Sequence, residues 1–121
     1  MKRIVLLFSL LLLLVASVFA NSNGDAHTKT VLYIYTPSCG YCVKFNPIYE
    51  KVSKLYKDKC NFKKVNAHSV EGQKLMIKYN GVFVPYVLIL DEKNNYKAFL
   101  APNCLLDYSC VNSAVENFVK K

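Results

Sequence analysis

Tryptophan is absent from the 121 residues, and arginine occurs once, at Arg3. Beyond that position no guanidinium fork is available to grip phosphates or base edges. The lysines do not take over that task. Lys44, Lys51, Lys54, Lys57, Lys63, Lys74 and Lys78 are scattered along the chain, which describes a solvated surface and not a nucleic-acid site. Histidine is nearly missing too. His27 has no ligand-type neighbours, and neither it nor His68 follows a Cys-x-x-Cys at ligand spacing. Four thiols for zinc would have to come from a spacing unlike the paired knuckles of structural sites. Val43, directly after Cys42, excludes the Cys-x-x-Cys-His pattern of haem attachment. No metal or other cofactor is expected. There is no internal repeat, low-complexity run or dividing linker, so the pattern is that of one domain.

What the chain does have begins at its start. Met1-Lys2-Arg3 is a short basic region, Ile4 to Val15 is almost wholly apolar, and Ala16 to Ala20 ends on the small-residue pattern Val18-x-Ala20. This is the layout of a secretory signal peptide over residues 1–20, with cleavage expected after Ala20. The competing reading is an uncleaved anchor, since Ile4 to Ala20 is nearly long enough to span a bilayer. No cysteine follows the run closely, so a lipoprotein anchor has no acceptor. Cleavage would leave 101 residues with all five cysteines and a net charge of +6, periplasmic or secreted, in an oxidising space, with no stable membrane insertion. Asn21 to Thr28 reads as a flexible polar tail, and 29–121 as the folded domain.

Val31 to Tyr35 is β-branched and aromatic without a polar break, the pattern of a buried strand. Phe45, Ile48, Tyr49, Val52, Leu55 and Tyr56 then recur at three- and four-residue steps, marking one apolar helix face. Cys60 to Val65 reads as a second strand. Ser69 is suited to cap a helix over Val70 to Tyr79, with Leu75, Met76 and Tyr79 inward and a stop at Asn80-Gly81. Tyr86 to Leu90 is the strongest strand. Asp91 to Asn95 forms a turn, and Tyr96 to Ala101 pairs back. A last helix covers Asp107 to Lys120 and buries Val111, Ala114, Val115, Phe118 and Val119. The order β-α-β-α-β-β-α is an α/β arrangement: one βαβ unit joined to an antiparallel hairpin, giving a mixed four-stranded sheet flanked by helices.

Cys39-Gly40-Tyr41-Cys42 falls where the first strand passes into the first helix. The free N–H groups and dipole of a helix N-terminus favour a thiolate, the form of cysteine that attacks disulfides. Cys39 is therefore the expected exposed nucleophile, and Cys42, one turn deeper, the resolving thiol. A Cys-x-x-Cys beside a βαβ pattern is a redox signature.

With Pro47 further along the same helix, and Lys78-Tyr79 followed by Val84-Pro85 leading into an apolar strand, the chain resembles the thioredoxin-fold thiol–disulfide oxidoreductases from Val31 onward. The resemblance implies a trimmed thioredoxin-like fold and a cis Val84–Pro85 bond facing the cysteines. It further implies that Val84, Pro85, Gly40 and Tyr41 contact substrate. The Gly40-Tyr41 dipeptide and the Val84-Pro85 pair are more similar to extracytoplasmic Dsb-type oxidases and isomerases than to cytosolic thioredoxin. Departures are visible. Ser38 stands where thioredoxins usually carry tryptophan, and Tyr33 stands where they bury an acid. The implied partners are protein thiols or disulfides and a redox partner protein.

Cys104 and Cys110 flank a five-residue stretch before the last helix. They are expected to close a small structural disulfide, with a relay to Cys39 and Cys42 as the other reading. Cys60 is expected to be a buried thiol. The activity expected is exchange of disulfides with protein substrates. The alternative is a non-catalytic binding module in which Cys39–Cys42 is only a structural bond.

Overall fold

The computed structural model describes residues 29–120, so the expected leader 1–20, the tail 21–28 and His27 lie outside the described residues. Strand β1, Thr30–Tyr35, is buried along its four middle residues. It can be apolar throughout because it has packed layers on both faces: successive side chains point to opposite sides. Val31 and Tyr33 join one core cluster and Leu32 and Ile34 the other.

On one side β1 pairs in parallel with β2, Asn61–Asn66, from Thr30–Asn61 to Tyr35–Asn66. On the other it runs antiparallel to β3, Tyr86–Leu90, which pairs in turn with β4, Tyr96–Phe99. The sheet order is β2-β1-β3-β4. The turn between β3 and β4 is organised by Asp91, whose Oδ1 accepts the amides of Lys93 (2.9 Å) and Asn95 (2.8 Å). Those amides, Asn95 first, hold the Asp91 carboxyl below its usual range.

Helix α1, Gly40–Tyr56, carries the chain from β1 to β2. It packs with α4, Tyr108–Lys120, on the face bearing Val31, Tyr33, Val87 and Ile89. The opposite face, Leu32, Ile34, Val65, Leu88 and Leu90, is covered by Leu75 and Met76 of α2, Val70–Lys78. Ser69 caps α2 by accepting the Gly72 amide at 2.9 Å. Gly72 is required by close approach, since a Cβ there would run into the Asn66 carbonyl. At the far end of α2 the left-handed residue is Asn80 (φ 56°), while Gly81 has an ordinary φ. Gly81 matters by size instead, because a Cβ would meet Met76 and Tyr86.

The thioredoxin-like architecture is present, with three differences of detail. Leu55, expected in the α1 core face, is 57% exposed. Cys60 precedes β2 and does not form part of it. Between β4 and α4 an unexpected four-residue helix α3, Pro102–Leu105, interrupts the connection, so β4 ends at Phe99. Many surface lysines lie over aromatic rings, as Lys51 does over Tyr108 (4.2 Å) and Lys64 over Tyr35 (4.7 Å).

Leu88, with no exposure, and Leu55 separate core from surface. Leu88→Ala is expected to lower unfolding free energy by about 2–5 kcal/mol in urea denaturation. Leu55→Ala should change it by no more than about 0.5 kcal/mol.

Candidate active site

β1 ends beneath the N-terminus of α1, and Cys39 is the capping residue of that helix (φ −80°, ψ 114°). Its sulfur accepts the backbone N–H of Cys42 at 3.0 Å, and its carbonyl accepts the Val43 amide at 3.1 Å. A capping side chain normally offers oxygen to an orphan amide; here the acceptor is the Cys39 sulfur. No acidic residue occupies the first turn of α1, so nothing competes for the positive end of the helix dipole. Cys39 and Cys42 are joined as a disulfide with Cα atoms 5.2 Å apart. Cys42 is buried at 1% exposure, whereas Cys39 is half-buried and reachable from outside. A thiolate arriving from solvent therefore meets Cys39 first.

Directly below lies Tyr33, fully buried. Its hydroxyl donates to Asn46 Oδ1 at 2.8 Å and sits 3.3 Å from the Cys42 carbonyl oxygen. Phe45 packs edge-on against its ring at 4.8 Å, and Tyr49 stands 5.0 Å away. Burial pushes the Tyr33 phenol up to about 12, so it stays neutral at any physiological pH. Among the described residues no buried carboxylate lies in this core; the group under Cys42 is a neutral hydroxyl.

The Val84–Pro85 peptide bond is cis. The ladder between β1 and β3 ends at the Ile34–Tyr86 pair, which leaves the main chain of Val84 outside the sheet, where an extended chain could lie beside it. Phe83, Val84 and Pro85 form one wall of a groove of about 440 Å³, and Tyr41 from α1 lines it too. The wall facing them is α3 with the residue after it: Pro102, Asn103, Leu105 and Leu106. Cys104 and Cys110 are also joined as a disulfide, Cα atoms 5.3 Å apart, tying α3 to the first turn of α4. Thus Tyr41, Val84, Pro85 and the Cys104 segment gather around one groove beside Cys39–Cys42. Gly40 opens the helix, with nothing within 4 Å of where a Cβ would stand.

Reading the sequence missed α3, Phe83 and Leu106. Ala101-Pro102 was an available signal, since proline is favoured in the first helical turn. Asp107 marked the next helix start, because its Oδ1 accepts the Ser109 amide at 3.0 Å.

Cys60, 1% exposed, lies just before Asn61, which pairs with Thr30 at the opposite end of β1 from Cys39. Burial, opposed by Lys29, pushes its thiol up to about 11. His68 is exposed, and among the described residues no group of three or more His, Cys, Asp or Glu could hold a metal ion. In the reduced protein, iodoacetamide at neutral pH is expected to label Cys39 while Cys60 stays unmodified until the protein is unfolded. Mass spectrometry of the alkylated peptides reads this directly, and equal labelling of the two would contradict it.

Comparison with known proteins bears on the whole arrangement. The thioredoxin family profile, described as Thioredoxin, matches residues 11–104. A search of curated protein sequences found no match. Among solved structures, a thioredoxin-like protein from Clostridium perfringens is 22% identical, with a TM-score of 0.66 over 81% of this chain and 77% of that one. Oxidised thioredoxin from Plasmodium falciparum is 22% identical, with a TM-score of 0.64 over 77% and 83%. Thioredoxin f from spinach chloroplast is 26% identical, with a TM-score of 0.62 over 75% and 70%. With a Cys-x-x-Cys disulfide capping α1 and the family profile matching most of its length, the chain belongs to the thioredoxin family.

Proposed function

We propose that this protein is an extracytoplasmic thiol–disulfide oxidoreductase that exchanges disulfides with protein substrates through Cys39 and Cys42. The observation that carries the proposal is the Cys39–Cys42 disulfide at the N-cap of α1, half-open on the Cys39 side and bordered by the Val84–Pro85 groove. In the oxidising direction a substrate thiolate attacks the Cys39 sulfur, and Cys42 leaves as a thiolate. A second substrate thiolate then attacks the substrate sulfur of the mixed disulfide, and Cys39 leaves. The substrate loses two electrons and the Cys39–Cys42 pair gains them. In the reducing direction the Cys39 thiolate attacks a substrate disulfide, and Cys42 releases the product. A redox partner protein restores the starting state.

Location outside the cytoplasm is supported by the leader pattern of residues 1–20 and by a second disulfide away from the reactive pair, which is the usage of oxidising compartments. Among the described residues no helix is long and apolar enough to cross a membrane.

Insulin reduction and refolding of a scrambled disulfide protein test the activity. Both are expected to proceed faster with the protein than with its Cys39→Ser variant. Rates that match would mean the Cys39–Cys42 bond is merely structural. Cys42→Ala should hold Cys39 in mixed disulfides with partner proteins, seen as thiol-sensitive bands on a non-reducing gel. Cys39→Ala should trap nothing, and equal trapping by both would reverse the order of attack.

A further inference from the structure

Tyr33 and Asn46 make a contact that the exchange chemistry itself does not use. The Tyr33 hydroxyl has one hydrogen to give. It goes to Asn46 Oδ1 at 2.8 Å, with the Cys42 carbonyl oxygen 3.3 Å away as a second acceptor. Cys42 and Asn46 are four residues apart, so the two acceptors stand one above the other on α1. The hydroxyl therefore ties the first turn of α1 to β1, a strand paired along both edges.

That turn has a reason to need a tie. Pro47 lies inside α1 and has no N–H to give the Val43 carbonyl. The backbone ladder thus loses the rung that follows the one from Asn46 to Cys42. A proline inside a helix is where the helix bends. Bending here would move Cys42, whose amide donates to the Cys39 sulfur at 3.0 Å. Once the disulfide opens, the same amide faces the Cys39 thiolate, and a hydrogen bond to the charged form favours that form. Cys42 is held on both sides: its N–H by Cys39, its carbonyl beside Tyr33.

We propose that Tyr33 and Asn46 are a positioning pair for the exchange reaction. By fastening the first turn of α1 across Pro47, they keep the Cys42 amide aimed at the Cys39 sulfur. Both act through Cys42 and not on the reacting atoms. The inference rests on the oxidoreductase reading above. A second contact of the same chemistry supplies a comparison within the same helix. Tyr56, the last residue of α1, donates to Asn112 Oδ1 at 2.8 Å and ties the far end of the helix to α4.

The test follows iodoacetamide alkylation of Cys39 across pH in the reduced full-length protein, read by mass spectrometry of the Cys39 peptide. Tyr33→Phe keeps the ring and removes the hydrogen. It is expected to raise the pH midpoint and to slow alkylation at neutral pH by up to about tenfold, the scale of one hydrogen bond to a charged group. Asn46→Ala should move the midpoint the same way, although alanine forms helix better than asparagine; a general loosening of α1 would not do this. Asn46 is half-buried on α1, so this variant carries the test where Tyr33→Phe does not fold. The double variant should match Tyr33→Phe alone, because residues that act as a unit are not additive. Tyr56→Phe should leave the midpoint where it is. The charged neighbours, Lys44 over Tyr41 and Lys64 over Tyr33 and Tyr35, stay in every variant. An unchanged midpoint in either Tyr33→Phe or Asn46→Ala would overturn the proposal. So would an equal rise in Tyr56→Phe, or a double variant slowed by the product of the two single effects. Electron uptake from dithiothreitol separates the two levels: an oxidised protein that takes none lacks the oxidoreductase activity itself, while the alkylation midpoints judge the pair alone.

Discussion

The bond from the Cys42 amide to the Cys39 sulfur is where fold and chemistry meet. It exists because β1 ends at Tyr35 and the chain turns into α1 within a few residues, making Cys39 the cap. That turn depends in turn on β1 being held from both sides: between β2 and β3 within the sheet, and between two helix layers across it. A strand so enclosed has little freedom to slip, because a one-residue shift would exchange its two faces. Cys39 is thereby placed by a strand enclosed within the sheet and across it.

Beneath the site the same economy holds. Tyr33 fills the space under Cys42 with an aromatic ring and satisfies its hydroxyl through Asn46, one turn beyond Cys42 on α1. A neutral group there braces α1 against β1 and supplies no proton in the physiological range. The opposite wall is built differently, from a loop and a one-turn helix that carries a covalent tie to α4.

The features carried by local pattern were legible in the sequence. The unbroken apolar β1, the helical spacing of Phe45, Tyr49 and Val52, and the Ser69 cap each follow from a period or a capping chemistry acting over a few residues. Leu55 fits the same spacing yet lies in solvent, because periodicity names a face while the partner helix sets how wide that face is. Helix α3 was too short to show a period. Phe83 and Leu106 became site residues only when the sheet brought the ends of β3 and β4 beside α1, a juxtaposition across more than forty residues of chain. The roles of Cys104 and Cys110 depended on the same long-range geometry. The spacing offered both a staple and a relay, and the structure joins the two cysteines as a disulfide at the edge of the groove.

The central claim is that the N-terminus of α1 activates Cys39, and Gly40 offers a direct way to test it. Nothing lies within 4 Å of a Cβ at this position, so Gly40→Asp and Gly40→Asn fit equally well and differ only in charge. Alkylation of Cys39 in the reduced proteins at neutral pH and low salt is the measurement. The account predicts that the Asp variant reacts more slowly than the Asn variant, by up to about fivefold, as a carboxylate competes for the helix end and opposes the thiolate. The gap should close as salt is added. Equal rates for the two variants at low salt would contradict it.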